Sequence, residues 1–299
     1  MREHGSPCAP LHPTVRRCPV PRTSWPSVAV LLTTTRHYLE TRLRHTLTSW
    51  PRAAQALLIS SDVAIPHLNG DIGLVVIPSS LSDAFVPPWK HLSRNARRPN
   101  GSPLAATPAG QLEKHEQFLR DRTIVALDVL HRCLPSTSIL LADDDTYFPW
   151  PMLAGRFGDA NLAEPHLFGT PVVSFARTLG GGSLGRGRIR GHCAGGDGVL
   201  FSRGLLQLLD RAGGGVRTAC CTYPLPMSIH VDVSLGMCAA VAVLRNGTAG
   251  DGRVAGCERP AGVATWGRHV PRNTSVADLY ADRAAPNRQR PPGRERRVS

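Results

Sequence analysis

Residues 138–148 read SILLADDDTYF: a short apolar run, three consecutive aspartates, a threonine and two aromatic residues. The run SILLA, residues 138–142, has the length and composition of a buried β-strand. It leads directly into Asp143, Asp144 and Asp145, so the sequence predicts three carboxylates at the end of a strand. The carboxyl ends of strands are where open α/β sheets bind their ligands. We therefore treat this acidic triplet as the centre of a candidate site.

The three carboxylates need a partner of opposite charge. Burying ionised groups without partners is costly, because they lose their hydration. The simpler alternative is a solvated acidic turn, but the aromatic residues Tyr147, Phe148 and Trp150 that follow argue against full exposure. Hard oxygen ligands suit Mg²⁺ or Mn²⁺, and such a metal can neutralise the charge on a departing nucleotide. The sequence thus predicts a divalent-metal site.

Segments with strand and helix patterns alternate on both sides of the triplet. Strands are predicted over residues 27–33, 56–60, 72–77, 138–142 and 167–175. Helices are predicted over residues 37–50, 113–133 and 199–209. This alternation predicts an α/β fold with a mostly parallel central sheet.

One folded domain with extended ends is predicted. Residues 1–26 are rich in proline and lack a hydrophobic period, which is typical of a disordered segment or a stem remnant. Residues 284–299 are rich in proline and arginine and predict a basic disordered tail. The catalytic domain is therefore expected to span residues 27–283. No apolar run reaches the roughly 18 residues that cross a bilayer, so membrane attachment is expected only through an anchor outside this chain.

The formal net charge of +13 invites a nucleic-acid-binding interpretation. Only Lys90 and Lys114 are lysines, however, and many arginines lie in the two ends. Charge in solvated tails explains this distribution better, so no nucleic-acid partner is expected. An arginine-rich nucleic-acid-binding protein stays an alternative, and it predicts binding that is lost when both ends are removed.

The eight cysteines contain no C-x-x-C motif, so disulfides are favoured over a zinc ribbon. Acceptor sequons at Asn100, Asn246 and Asn273 agree with a glycoprotein of the secretory pathway. Position along the chain suggests two bridges. One would join Cys133 to Cys220 or Cys221, and the other would join Cys238 to Cys257.

Ordered blocks of the sequence resemble the Fringe-like, core-1-galactosyltransferase-like branch of glycosyltransferase family 31. LLADDDTYF at 140–148 looks like the strand and DxD signature of that branch. AVLLTTTRHYLETRLRHTLTSW at 29–50 is similar to its first strand, Thr-Thr pair and arginine-containing helix. LLISSD at 57–62 resembles its strand ending in Ser/Thr-Asp. HCAGGDGVLFSRGLLQLL at 192–209 and VDVSLGMC at 231–238 resemble its glycine loop and its Asp-Asp-x-Thr-x-Gly segment.

The resemblance implies a GT-A fold, which is a Rossmann-like fold of nucleotide-sugar transferases. It implies an inverting enzyme that moves a hexose or N-acetylhexosamine from a UDP-sugar to a glycan or glycoprotein acceptor. The expected linkage is β1,3, the expected metal is Mn²⁺ with Mg²⁺ as the alternative, and the expected location is the Golgi or another lumen of the secretory pathway. Family members are type II membrane proteins.

The resemblance also implies a metal-ligand set. Asp145 is expected to be the principal ligand. Asp143 and Asp144 are expected to contact the waters of the metal or the ribose, with Asp143 as a further ligand. A histidine near the end of the catalytic domain is the remaining ligand of the family, and His269 is the match by order, with His230 as the second choice.

Other residues are expected to bind the donor. Thr34, Thr35 and Arg42 correspond to positions at the nucleotide, where an arginine can pair with phosphate oxygens. Asp62 is expected to face the uracil or the ribose. Gly195 and Gly196 are expected to let backbone approach a sugar closely, because a Cβ would block that approach.

Asp232 is the predicted general base. An inverting displacement needs a carboxylate that takes the proton of the acceptor hydroxyl. The family usually carries two acidic residues here, and Val231 replaces the first. Asp197 likewise replaces a small residue of the family's glycine loop. Two alternatives follow: Asp232 only caps a helix, or the protein is an inactive, Fringe-like carbohydrate-binding or chaperone-like relative.

Overall fold

The computed structural model describes Cys8 and residues 10–21, 28–49, 56–79, 109–147, 162–172, 192–221, 231–245, 257–258 and 268–269. Several predicted features lie outside these residues, namely His230, the tail 284–299 and the sequons at Asn100, Asn246 and Asn273. No helix among the described residues is long and apolar enough to cross a membrane.

Twelve strands and five α-helices make up the described part of the chain. The strands are β1 (Thr14–Arg17), β2 (Val28–Thr33), β3 (Ala56–Ser61), β4 (Gly73–Val76), β5 (Ser138–Asp143), β6 (Thr146–Tyr147), β7 (Leu167–Phe168), β8 (Pro171–Val172), β9 (His192–Cys193), β10 (Val199–Phe201), β11 (Cys257–Glu258) and β12 (Arg268–His269). The helices are α1 (Arg44–Ser49), α2 (Ala109–Cys133), α3 (Arg203–Gly213), α4 (Val216–Cys221) and α5 (Val231–Arg245).

Eight strands form one mixed sheet in the order β1-β4-β3-β2-β5-β10-β7-β11. Its centre, β4-β3-β2-β5, is parallel throughout. The outer strands β1 and β10 run antiparallel to their neighbours β4 and β5. The predicted α/β fold with a mostly parallel central sheet is thus confirmed.

The strand order reverses between β2 and β5. From β2 the chain builds outward in one direction through β3 and β4, and then returns to place β5 on the other side of β2. At such a reversal the connections leave toward opposite faces of the sheet, which opens a crevice at the carboxyl ends of the two strands. The acidic triplet begins at Asp143, the last residue of β5, so it lies at this crevice.

The central strands are covered on both faces, which explains why they read as continuous apolar runs. In β2, Ala29 and Leu31 belong to the core cluster that includes Ile124 of α2. Val30 and Leu32 belong to the opposite cluster, which includes Leu43. The predicted helix over 37–50 is only partly α-helical: Arg36–Tyr38 is a 3-10 turn, Leu39–Leu43 is a π-helical turn, and α1 follows.

The amino-terminal segment is more ordered than its composition indicates. The prediction of disorder is wrong for residues 14–17, which form edge strand β1 against β4. Disulfides join Cys8 to Cys221 and Cys18 to Cys133, and they attach the segment to α4 and α2. An edge strand tolerates nearby prolines, and covalent anchoring replaces the hydrophobic period that the prediction required.

The helix predicted over 199–209 begins too early. Val199–Phe201 is strand β10, and α3 begins at Arg203. Ser202 is the cap, since its side-chain oxygen accepts the backbone N–H of Leu205 at 3.1 Å. A three-residue apolar run cannot be assigned by periodicity, because a strand and a buried helical turn look alike at that length.

All eight cysteines form disulfides, as predicted, but both suggested pairings are wrong. The bridges are Cys8–Cys221, Cys18–Cys133, Cys193–Cys257 and Cys220–Cys238. Cys133 ends α2 beside the segment that follows β1, and Cys238 on α5 faces α4, so spatial neighbours differ from neighbours along the chain. Four disulfides without a free thiol are typical of proteins that fold in an oxidising compartment.

Candidate functional site

Two threonines at the end of β2 hold the first two carboxylates of the triplet. Register places Thr33 beside Asp143 across the parallel pair β2 and β5. The Thr33 hydroxyl donates to Asp143 Oδ1 at 2.6 Å, and the Thr34 hydroxyl donates to Asp144 Oδ2 at 2.7 Å. The predicted nucleotide-site residue Thr34 therefore lies directly at the triplet.

The polypeptide turn through the triplet is supported from the opposite side. Thr46 of α1 donates its hydroxyl to the carbonyl of Asp144 at 2.7 Å. Asp144 and Asp145 are buried, whereas Asp143 is exposed. One carboxylate thus faces solvent and two lie in the protein, where they require compensating charge.

Arg42 supplies part of that compensation. Its guanidinium forms an ion pair with Asp145 and lies 3.4 Å from Asp144 Oδ1. It also stacks over the ring of Tyr38, with 4.1 Å between the guanidinium carbon and the ring centroid. The sequence predicted that Arg42 contacts phosphate, and the structure places its guanidinium at the carboxylates of Asp144 and Asp145. Because its side chain is 28% exposed, Arg42 approaches them from the solvent side.

Arg122 is a second cation of the site that the sequence prediction missed. It lies on α2, is fully buried, and donates from Nη1 to the carbonyl of Thr34 at 2.9 Å. Burial lowers the pKa of Arg122, and the negative charges of Asp62, Asp143 and Asp144 oppose that shift. A signal was present in the sequence, since Arg122 lies one helical turn after Phe118 within the helix predicted over residues 113–133.

Asp62 and Thr35 extend the site to the end of β3. Asp62 Oδ1 accepts the backbone N–H of Arg36 at 2.8 Å, which ties the end of β3 to the 3-10 turn that follows β2. Thr35 is the residue immediately before that turn. Asp62 and Thr35 therefore lie on the same sheet edge as the triplet.

Asp232 lies in the first turn of α5 and contacts the 3-10 turn Gly195–Asp197, which we call the glycine turn. The backbone N–H of Gly195 donates to Asp232 Oδ2 at 3.3 Å, and the N–H of Val233 donates to Oδ1 at 2.8 Å. A Cβ on Gly195 would lie 3.0 Å from the Cβ of Asp232, a tighter contact than nearly all real side chains make. Glycine at 195 thus permits close approach to Asp232.

Thr146 connects the glycine turn to the triplet. Its hydroxyl oxygen accepts the backbone N–H of Asp143 at 3.1 Å and its hydroxyl lies 3.1 Å from the carbonyl of Gly196. Thr146, the residue after the triplet, and Asp232 therefore both bond to the glycine turn. These contacts connect the segments of Asp145 and Asp232, which are 87 positions apart in sequence.

The backbone of His269 also comes to this region. Strand β12 pairs with β6, and this pairing sets His269 opposite Thr146, the residue after the triplet. Strand β12 also contacts the glycine turn. The backbone of His269, which was chosen by its position along the chain, therefore lies beside the residue that follows the triplet.

His192 is the second residue that the sequence prediction missed. It is buried on β9, and its Nε2 lies 3.7 Å from Asp232 Oδ2. His192 opens the block at 192–209 that resembles the family's glycine loop, which was the available signal, but nothing in the sequence indicated that this residue lies near Asp232.

The carboxylate oxygens of the triplet are the type of ligand atom that a hard divalent cation prefers. Asp143, Asp144, Asp145 and Asp62 bring four carboxylates toward two guanidinium groups, so acidic groups are in excess. Within the described part of the chain, no group of three or more His, Cys, Asp or Glu side chains is arranged to hold a metal. A cation here would therefore need ligands besides the triplet, from its substrate, from water or from a residue such as His269.

The pKa of Asp144 predicts that the stability of the protein depends on pH. Burial, opposed by the hydrogen bond from Thr34, raises its pKa to about 7, well above the usual pKa of an aspartate. The folded state therefore binds a proton that the unfolded state releases, so this contribution to stability is complete below about pH 4 and is lost as pH rises through about 7. In EDTA, we expect the free energy of unfolding of the wild type to fall by on the order of 2 kcal/mol more than that of Asp144→Asn between pH 5 and 8.

Urea unfolding of both proteins at several pH values provides the measurement. The comparison removes the effects of His115 and His131, whose pKa values are lowered mainly by burial and which both proteins share. Parallel pH profiles for the two proteins would show that Asp144 is ionised in the folded state throughout this range.

Comparison with known proteins adds no relative. No protein-family model matches the chain, and a search of curated proteins finds no similar sequence. The function must therefore be argued from the geometry of the site and the ordered sequence blocks.

Proposed function

We propose that this chain is a transferase that uses a nucleotide-linked donor and a divalent metal. The observation that carries the proposal is the convergence of the triplet and Asp232 on the glycine turn, at the switch point of a parallel sheet. This arrangement puts a metal-binding type of carboxylate cluster and a separate, partly exposed carboxylate next to one crevice. Open α/β sheets bind nucleotides at such crevices.

The particular transferase is an inverting glycosyltransferase of GT-A type. Its donor is a UDP-sugar, its acceptor is a glycan or glycoprotein, and its product carries a β1,3 linkage. The ordered resemblance to glycosyltransferase family 31 supports this choice, and the four disulfides agree with action in the lumen of the secretory pathway, such as the Golgi.

The triplet forms the donor side of the proposed site. Asp143 and Asp145, with His269, are the residues proposed to hold Mn²⁺, which when bound supplies charge neutralisation for the leaving UDP. Arg42 lies at the solvent side of Asp145, where its guanidinium can exchange a carboxylate for a phosphate oxygen. Arg122 holds the backbone of Thr34 from within the protein and so fixes one wall of the crevice.

Asp232 forms the acceptor side. Gly195 and Val233 hold its two oxygens through backbone N–H groups, and its side chain is 26% exposed, so an acceptor hydroxyl can reach it. In the proposed step, Asp232 takes the hydroxyl proton while the acceptor oxygen bonds to the anomeric carbon. The bond from that carbon to the phosphate oxygen breaks, and UDP leaves with the electron pair.

The proposal predicts metal-dependent UDP release. We expect the purified full chain with Mn²⁺ to release UDP from one member of a UDP-sugar panel, faster with a glycan acceptor than without one. EDTA should abolish this release, because the diphosphate loses its counter-charge. Release is measured by a coupled UDP assay. The absence of both release and binding across the panel, at all metal concentrations, would contradict the proposed function.

An inactive carbohydrate-binding protein is the second candidate. Two observations favour it: Val231 stands where the family has an acidic residue, and both oxygens of Asp232 already accept backbone hydrogen bonds, as in a purely structural cap. Donor binding that persists without transfer to any acceptor distinguishes this candidate from the enzyme.

A further inference from the structure

His192 lies directly behind the proposed base. It is on β9, its side chain is 7% exposed, and its Nε2 is 3.7 Å from Asp232 Oδ2. Asp232 itself is 26% exposed. An acceptor can therefore reach the partly exposed carboxylate of Asp232 more readily than the buried imidazole of His192.

The other contacts of the Asp232 carboxylate leave a place for this histidine. Val233 donates to Oδ1, while Gly195 donates to Oδ2 from a longer distance of 3.3 Å. With its hydrogen on Nε2, the imidazole of His192 points a second donor at Oδ2. A separation of 3.7 Å is slightly beyond hydrogen-bond range, and contacts of this type commonly shorten when a substrate is bound.

We propose that His192 is a positioning residue for Asp232: it fixes the carboxylate rotamer that faces the acceptor hydroxyl and supports the charge on Oδ2. This inference rests on the proposed function. The disulfide of the neighbouring residue restrains His192. Cys193, the next residue on β9, is joined to Cys257 of β11, so the strand that carries His192 is covalently attached to the edge of the main sheet.

Two substitutions of similar size separate positioning from packing. His192→Leu fills the buried position with an apolar side chain of similar size and removes the donor. His192→Gln keeps an N–H donor at a similar distance from the backbone. We expect His192→Leu to lower kcat about tenfold or more, with little change in KM for the donor, and His192→Gln to stay within about threefold of wild type. Thermal unfolding of each variant shows whether it is folded.

A double-mutant cycle tests whether His192 acts through the carboxylate of Asp232. In an Asp232→Asn background, His192→Leu should cause no further loss of residual UDP release, because its action passes through the carboxylate. A full additional loss, equal kcat values for wild type and His192→Leu, or a Gln variant as impaired as the Leu variant each overturns the assignment of His192 alone. Absence of turnover in the wild type overturns both this inference and the proposed function.

Discussion

Asp145→Asn is expected to abolish metal-dependent binding of the donor and to reduce UDP release by about a thousandfold or more, since metal neutralisation of a leaving diphosphate contributes several kcal/mol to transition-state stabilisation. Asparagine has nearly the same shape as aspartate, so the buried position stays filled. What is removed is one negative charge that a cation would use and that Arg42 now pairs with.

The same change should not unfold the protein. Asp145 is buried beside Asp144, and their mutual repulsion is one cause of the raised pKa of Asp144. Removing one charge relieves that repulsion, which offsets the lost ion pair with Arg42. Isothermal titration of UDP with and without Mn²⁺ measures binding, and thermal unfolding measures stability.

Asp210→Asn is the matched control, because Asp210 is exposed on α3, outside the site, and the substitution changes net charge equally. Normal Mn²⁺-dependent binding in Asp145→Asn would remove the triplet from the donor site. A comparable loss in Asp210→Asn would instead indicate a general effect of charge.

Local pattern was sufficient for the strands that carry the triplet and its neighbours. Apolar runs of strand length predicted β2, β3, β4 and β5 to within about a residue, because strands covered on both faces have no alternative composition. The donor-side residues follow these strand ends directly. Parallel strands share their carboxyl edge, so the positions of the strands are sufficient to bring Thr34, Asp62 and the triplet to one edge of the sheet.

Tertiary contacts account for what pattern did not show. Arg122 lies at the site on the buried face of α2, and His192 lies there on the two-residue strand β9. The sequence around either residue does not show which element it contacts. The contact between Asp232 and Gly195 depends on how α5 packs against β9. The order of strands within the sheet, which creates the crevice, likewise follows from packing rather than from any single segment.

The disulfides show the same limit. Cys220 and Cys221 are adjacent in sequence but are joined to different partners, Cys238 on α5 and Cys8 in the amino-terminal segment. On one helix, neighbouring side chains point about 100° apart, so each cysteine meets a different element. Pairing by order along the chain could not anticipate this divergence.

Asp232→Asn separates the two roles open to Asp232, and we expect it to lower kcat by about a hundredfold or more while donor binding and folding persist, because general acid–base catalysis typically contributes 10² to 10⁴. Asparagine keeps an acceptor oxygen for the N–H of Val233 and loses only the longer hydrogen bond from Gly195, at 3.3 Å, and it caps helices about as well as aspartate. Stability should therefore change little, as measured by thermal unfolding. UDP release and UDP binding are measured in parallel.

Two other outcomes of Asp232→Asn would contradict the assignment of Asp232 as the base. If Asp232 serves only as a cap, asparagine replaces it and transfer continues at the wild-type rate, which would exclude it as the base. If both binding and transfer disappear, the carboxylate is part of the donor site, together with the triplet that Thr146 links to the glycine turn. Only loss of transfer with retained binding assigns Asp232 to the acceptor side. That result, together with loss of binding in Asp145→Asn, would establish that the triplet and Asp232 have different chemical roles.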